Sequence, residues 1–327
     1  MKILEKIKSR KLSKTLAAVV ASGALFFGAG NLAEADSNAE FTFKQAYLSA
    51  PQDNRAFVQN IDFFSTTFHA DINTQGKILR DGSMQMSGNL NWNYTNPSNN
   101  VTINKNMPFY ITQGDAEITL YIQRAGKWNR FLLPGIPAGF ANALKSNDIG
   151  TLQENLKAVR YVELFRETDA QQIFNITLDG KYLAQLMEKY GNNQNTADLS
   201  EEEVAAQKIF SRNLQAALQK TDVKCTWTFD KIKNRTVTAV INFTDLMRNY
   251  AKNILDESAA GQIVLTDEER MLMDTIGYYS EFHYSATYRN EDTGTNYTPN
   301  SAAKKAAVNN NIFNDLIREM TSTVRNR

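Results

Sequence analysis

Few side chains of this 327-residue chain have the type and spacing that catalysis requires. Ser301 and Lys304 form a Ser-x-x-Lys pattern, in which the lysine could activate the serine, but no Lys-Thr-Gly or Ser-Asp-Asn motif accompanies it. His69 and His283 are the only histidines, and neither His-Glu-x-x-His nor clustered cysteines occur. The sequence therefore predicts no catalytic residues, no metal and no cofactor. A hydrolase built from scattered residues is the weakest of three functional hypotheses.

The remaining reactive groups have structural explanations. Cys225 is the only cysteine, so no intramolecular disulfide can form, and its place in an alternating run predicts a small buried hydrophobe. The acidic residues at 267–269 fall in the first turn of a predicted helix, where they favour the positive end of its dipole. Both histidines fall on the polar side of predicted strands, where we expect them to be solvated.

The amino terminus has the pattern of a secretory signal peptide. Six basic residues precede an apolar run from Leu16 to Phe27, and Ala33-Glu34-Ala35 follows as an Ala-x-Ala cleavage site. We therefore predict cleavage of residues 1–35 between Ala35 and Asp36, and a soluble periplasmic or extracellular protein. The alternative, an uncleaved anchor, is disfavoured because the run is shorter than the roughly 18 apolar residues of a spanning helix.

Charge excludes one class of partner. Removing residues 1–35 takes away six of the 36 basic side chains and two of the 35 acidic ones. The mature chain is then mildly acidic and has no broad basic field. We therefore expect no nucleic-acid binding through the phosphate backbone.

Alternation with period two dominates the mature chain and predicts an antiparallel sheet with one dry and one wet face. It is clearest in two places, from Phe64 to Ile72 and from Met84 to Tyr94, with a turn predicted at Thr74–Lys77 between them. Ala125-Gly126-Lys127 predicts a hairpin turn, and Tyr278–Arg289 the last strand. Further strands are predicted at 107–111, 117–123, 129–133, 160–167 and 171–178.

Apolar stripes predict helices between these strands. One stripe covers Leu183 to Tyr190, and capping-box patterns at Ser200–Glu203 and Thr266–Glu269 open two more helices. Further helices are predicted at 43–48 and 312–320. The fold class is therefore α+β. We predict one domain over residues 36–327, with a candidate division into two half-repeats near the polar stretch 191–199, because 171–190 and 235–254 both run from strand into helix.

Together these features resemble the superfamily of bacterial lipoprotein carriers and mycobacterial lipid-binding lipoproteins. The resemblance rests on the exported chain, the leading helix, the long strands with aromatic residues and methionines, the Gly-Lys-Trp hairpin at Gly126–Trp128, and the inserted helices. It implies a curved antiparallel sheet, or half-barrel, wrapped around helices, with acyl chains held between the two. The chain departs from the mycobacterial members because it has no cysteine at the cleavage site for a lipid anchor.

The first functional hypothesis is therefore an envelope protein that binds or carries a lipid or the acyl chain of a lipoprotein, with transient contact with a membrane surface. Methionine and aromatic side chains adapt to irregular apolar ligands. The alternative is a structural or interaction protein of the envelope that binds no small ligand, and ordinary core is the simpler explanation for any single candidate residue. The sequence does not predict an oligomeric state. The candidate lining residues are Met84, Met86, Trp92, Met107, Phe109, Tyr121 and Trp128.

Overall fold

The computed structural model describes residues 37–49, 55–64, 68–78, 84–95, 102–113, 118–133, 156–191, 201–233, 235–289 and 297–309. In these ranges the chain forms an α+β fold with one eleven-stranded antiparallel sheet and six α-helices. This confirms the predicted fold class.

The strands and helices follow the chain in a simple order. The strands are β1 (Arg55–Phe64), β2 (Phe68–Ile78), β3 (Met84–Thr95), β4 (Thr102–Gln113), β5 (Ile118–Arg124), β6 (Lys127–Leu133), β7 (Val159–Glu167), β8 (Gln171–Leu178), β9 (Val223–Asp230), β10 (Arg235–Asn242) and β11 (Glu281–Arg289). The helices are α1 (Ser37–Ser49), α2 (Gly180–Gly191), α3 (Glu201–Leu218), α4 (Thr244–Ala259), α5 (Asp267–Tyr279) and α6 (Ser301–Lys304).

The sheet is built from two meanders that meet in its middle. Its strand order is β6-β5-β4-β3-β2-β1-β11-β10-β9-β8-β7, so every neighbouring pair is consecutive in sequence except β1 and β11. That exceptional pair joins the first and last strands along nine residue positions, from Ala56 opposite Arg289 to Phe64 opposite Glu281. We call β1–β6 the first half of the sheet and β7–β11 the second half.

The turn predicted at Thr74–Lys77 is wrong, because these residues lie within β2. The physical reason is Gly76, which faces a crowded part of the sheet. A Cβ atom there would lie 2.7 Å from Phe57 Cζ and 2.8 Å from Met86 Cγ. The glycine therefore permits close packing between strands and does not mark a turn. Strand β1 was missed for most of its length by the sequence analysis.

The last strand begins later than predicted. Tyr278 belongs to α5, and β11 starts at Glu281 after Ser280 adopts an extended backbone conformation. The helical period of Met273 and Ile276 continues into this region and overrides the alternation that suggested a strand. The Tyr278 ring is exposed and lies 5.1 Å from Lys252 Nζ on α4.

Two local predictions are confirmed in detail. Ala125 and Gly126 form the turn between β5 and β6, both with positive φ (48° and 77°), as two-residue hairpin turns require. Thr266 caps α5, since its side chain accepts from the Glu269 N–H while the Glu269 carboxylate accepts from the Thr266 N–H. The predicted cap at Ser200 and the predicted helix at 312–320 lie outside the described residues.

The second half has the same side-chain-to-backbone hydrogen bond at two places where a strand runs into a helix. At the end of β8, Asp179 Oδ1 accepts from the Lys181 N–H at 2.8 Å. At the end of β10, Asn242 Oδ1 accepts from the Thr244 N–H at 2.9 Å. Both predicted strand-to-helix segments are therefore present, and a duplication across residues 191–199 stays a prediction.

No helix among the described residues combines the length and apolar character needed to cross a bilayer.

Candidate ligand-binding face

Side chains that lie directly opposite each other in an antiparallel sheet point to the same side, so the pairing register defines two faces. One face carries apolar side chains on all eleven strands, and we call it the inner face. Its buried members include Phe57, Ala70, Ile72, Met86, Trp92, Met107, Phe109, Ile111, Leu120, Ile122, Phe131, Val162, Phe174, Ile176, Cys225, Trp227, Ala239, Ile241, Tyr284 and Ala286.

Helix α1 packs on the inner face of the second half. Phe43 is fully buried, and its ring centroid lies 5.4 Å from Phe174, 5.8 Å from Phe229 and 5.9 Å from Trp227. Tyr47, one helical turn later, lies edge-on to Trp227 at 5.9 Å. Edge-to-face rings at these separations add to the stabilisation from burial. The helix is therefore held by a cluster of five aromatic rings.

The larger contacts between helices and the sheet fall unevenly on the two halves. In the described chain, α1 contacts β7 and β10, and α4 contacts β11. The first half receives such contacts from the short helix α6, on β5 and β6. The inner face of the first half is nevertheless buried, with Met86 1 % exposed and Trp92 6 % exposed.

The structure brings four of the seven predicted lining residues together. Met86, Trp92, Met107 and Phe109 lie on the inner face of the neighbouring strands β3 and β4, and all four are buried. Leu90 stands directly opposite Met107, and Gly88 stands opposite Phe109. This part of the face therefore offers adaptable methionine and aromatic surface over two adjacent strands.

The other three predicted residues are placed differently. Tyr121 and Trp128 lie on the opposite side of the sheet, which we call the outer face. Tyr121 stands opposite Tyr110, whose ring centroid lies 5.3 Å from that of Trp128. Met84 begins β3, and its side chain lies outside what the structure describes.

Sequence reasoning missed polar groups on the inner face. Gln59 and Thr74 are buried opposite each other on β1 and β2, and the Thr74 hydroxyl donates to Gln59 Oε1 at 3.3 Å. Trp227 is 4 % exposed, and within the described chain its indole N–H has no hydrogen-bond partner. Gln59 lies in β1, most of which the sequence analysis missed, and Thr74 lies where it predicted a turn, so neither residue was assigned to the dry side of a strand. No sequence signal marked the indole N–H.

The outer face of the first half is polar. His69 Nε2 lies 2.5 Å from Asp62 Oδ1. Asn60 donates to Asp71 at 2.6 Å and to Asn73 at 2.9 Å. His283 lies on the same outer face, on β11 of the second half, 3.2 Å from Glu281, so both histidines are on the polar side as predicted. No group of three or more histidine, cysteine, aspartate or glutamate side chains in the described residues is arranged to hold a metal ion.

Among the described residues, three titratable groups have shifted pKa values, and these three do not form a catalytic cluster. Burial raises the pKa of the Cys225 thiol to about 12, which keeps it protonated and unreactive at neutral pH. Burial, with a smaller contribution from Glu257, raises the pKa of Tyr250. Hydrogen bonds from Lys231 and Gln172 lower the pKa of the exposed Glu167 carboxyl. The prediction that Cys225 is a buried hydrophobe is confirmed.

Comparisons with known proteins give little further information. No protein-family profile matches the chain, and no curated protein matches it. Among solved structures, it is similar to the crystal structure of LprF from Mycobacterium bovis, with 10% sequence identity and a TM-score of 0.37. That match covers 82% of this chain and 99% of the other.

Proposed function

We propose that this protein is an exported binder or carrier of an apolar ligand, either a lipid or the acyl chain of a lipoprotein, held against the inner face. Residues 1–35 act as the signal peptide, and the sheet curves as a half-barrel around its helices. The chemistry is binding without catalysis. The observation that carries the proposal is one face with buried apolar side chains on all eleven strands, on which Met86 and Met107 lie beside Trp92 and Phe109 on β3 and β4.

The energy available from acyl burial is sufficient for tight binding. About 16 methylenes at about 0.8 kcal/mol each give on the order of 13 kcal/mol before any costs. Two unfavourable terms reduce this free energy: side chains that already contact one another must separate, and the ligand must become ordered. Methionine lowers the first cost because its unbranched side chain repacks readily. Met86 and Met107 are therefore the residues that we expect to move most when a ligand enters.

The first experiment is to purify the mature protein from its own host envelope and to record its native mass. Organic extraction then identifies any bound small molecule. The proposal expects a stoichiometric species that contains an acyl chain. A bare mass, together with no uptake of added phospholipid or fatty acid, would overturn it.

A pair of matched variants locates the ligand. Ala70→Phe places a ring on the inner face opposite Trp92, whereas Ser87→Phe places the same ring on the outer face. We expect Ala70→Phe to reduce bound acyl ligand at least threefold and Ser87→Phe to leave it unchanged. Thermal unfolding of both variants, with and without ligand, separates a lost site from a lost fold.

The second candidate function is protein interaction at the exposed edge of the sheet. Strand β7 ends the strand order and exposes Tyr161 and Phe165. At the other end, residues after α6 pair with β6, since the Arg130 N–H donates to Ala307 O at 3.1 Å and the Asn309 N–H donates to Arg130 O at 2.8 Å. Strand β7 therefore offers an edge for an added strand.

Two features of β7 weigh against this candidate. The register of β7 on β8 shifts at two places, and Arg160, Glu163 and Arg166 are exposed along the strand. Bulges and charged side chains are the devices by which sheet edges avoid pairing. Crosslinking in the native envelope tests this second candidate function. A photoreactive residue is placed at position 165 on β7 and, as the control, at position 232 on the β9–β10 turn. Capture of one partner protein from position 165 but not from position 232 would favour protein interaction at the β7 edge.

A further inference from the structure

One row of residues crosses the inner face from the first half to the second. The pairing register places Thr74, Gln59, Ala286, Ala239 and Trp227 opposite one another in succession on β2, β1, β11, β10 and β9. Three strand spacings separate Gln59 from Trp227, which is about 14 Å at about 4.8 Å per spacing. We call these five residues the transverse row.

The composition of the transverse row differs from that of its surroundings. Two alanines occupy its centre, whereas the residues two positions away on β11 and β10 are the large Tyr284 and Ile241. Its first end carries the buried Gln59–Thr74 pair and its second end carries the Trp227 indole. The row therefore combines small side chains at its centre with hydrogen-bonding groups at both ends.

The indole N–H of Trp227 carries the inference. It is a donor without a partner among the described residues, and its side chain is more than nine-tenths buried. A buried donor left unpaired costs about 1–3 kcal/mol, so such groups are rare in folded proteins and call for an explanation. An indole can only donate, so the group that satisfies it must be an acceptor.

We propose that Trp227 donates a hydrogen bond to the carbonyl oxygen of an acyl ester, and that the transverse row is the part of the inner face that distinguishes such a ligand from a plain hydrocarbon. This inference rests on the proposed function and narrows it to ligands with an oxygen acceptor. Phe43 and Tyr47 contact the Trp227 ring, so the carbonyl lies beneath α1. The hydrocarbon chain extends over the alanines towards the first half.

The test compares two ligands that differ in the acceptor. Methyl hexadecanoate and hexadecane are each delivered to the mature protein from cyclodextrin, and the bound amount is measured by extraction and gas chromatography. Trp227→Phe keeps a six-membered aromatic ring and removes the N–H together with the rest of the five-membered ring. Trp128→Phe makes the same change on the outer face and is the matched control.

We expect Trp227→Phe to weaken binding of the methyl ester about three- to tenfold, as loss of one neutral hydrogen bond predicts. Binding of hexadecane stays unchanged in that variant, and Trp128→Phe changes neither ligand. Equal loss of both ligands would mean that Trp227 only packs, and no change in either would mean that its N–H contacts no ligand. Both results overturn the inference but leave the proposed function intact. Failure of the unmodified protein to bind either ligand overturns both.

A second measurement decides the matter if Trp227→Phe does not fold. The chain has three tryptophans, so ¹⁵N-tryptophan labelling gives three indole signals, and those of Trp92 and Trp128 are assigned with their own phenylalanine variants. The remaining signal should shift downfield with methyl hexadecanoate and by less than half as much with hexadecane. Equal shifts with both ligands would overturn the inference.

Discussion

The two halves of the sheet bury the same apolar face in different ways. In the second half, α1 seats Phe43 among three aromatic rings of the sheet, and helices follow β8 and β10 directly. In the first half, six strands follow one another as a meander, and β2, β3 and β4 each have eleven or twelve residues. Aromatic rings in fixed geometry favour a rigid core, whereas Met86 and Met107 favour one that repacks. The second half therefore has the more rigid core, and the first half has the core that can repack.

The substitutions with the largest expected effect test whether the two halves of the sheet unfold together. Phe43→Ala removes the aromatic centre of the second half, and Phe131→Ala removes a fully buried ring from β6 in the first half. We expect each to lower the free energy of unfolding by about 3–5 kcal/mol. Because β1 pairs with β11 along its length, both variants should shift a single unfolding transition in urea, followed by circular dichroism.

A different unfolding pattern would contradict this prediction. Two transitions, of which each variant shifts only one, would show that the halves are separate cooperative units. Hydrogen exchange of the β1 and β11 amides then locates the boundary, because those amides would exchange with whichever half opens first.

The second prediction concerns a close approach found in the second half. Gly180 begins α2, and a Cβ atom there would lie 2.8 Å from the Thr221 carbonyl carbon and closer still to two backbone oxygens. Backbone cannot swing aside as a flexible side chain can, so we expect Gly180→Ala to cost about 1–3 kcal/mol in the free energy of unfolding.

A matched glycine provides the control for this substitution. Gly277 lies within α5, and its Cβ would meet Lys252 Cγ at 3.7 Å and Ala251 Cβ at 3.8 Å, which are ordinary contacts. Gly277→Ala should therefore raise the free energy of unfolding by up to about 1 kcal/mol, because alanine favours the helix. If both variants were equally destabilised, the tight fit at Gly180 would not be the cause.

Much of this fold could be predicted from the sequence where a local period repeats. The β3 strand and the stripe of α2 follow from alternation and from helical spacing, and the cap at Thr266 follows from its motif. The pairing of β1 with β11 could not be predicted, because it joins residues more than 200 positions apart in the chain and has no local signal.

The candidate site was predictable only in part, because it too depends on how separate strands pair. Alternation indicates which residues of one strand point to the same side. It does not indicate which side of the next strand belongs to the same face of the sheet. Trp128 and Trp92 both have apolar character, yet the two-residue turn at Ala125–Gly126 sets Trp128 opposite Gln123, on the outer face. Register, which is a property of pairs of strands, separates lining residues from surface residues.

The third prediction concerns a helix terminus in the second half. Thr266→Ala removes the side-chain oxygen that accepts from the Glu269 N–H at 3.2 Å. We expect a loss of about 1 kcal/mol in the free energy of unfolding, measured by urea denaturation. Thr266→Ser keeps the acceptor and should lose less than half as much. An equal loss in the two variants would mean that the threonine methyl group, and not the cap, is responsible.

The smallest expected effect lies in the first half and has the opposite sign. Ala125 adopts φ of 48° in the β5–β6 turn, a region that costs alanine roughly 1–2 kcal/mol and that asparagine tolerates better. Ala125→Asn should therefore raise the free energy of unfolding by about 0.5–1 kcal/mol, whereas Gly126→Ala should lower it. A gain for Ala125→Asn would confirm the turn geometry that places Trp128 on the outer face. A loss would mean a different turn, and with it a different face for Trp128.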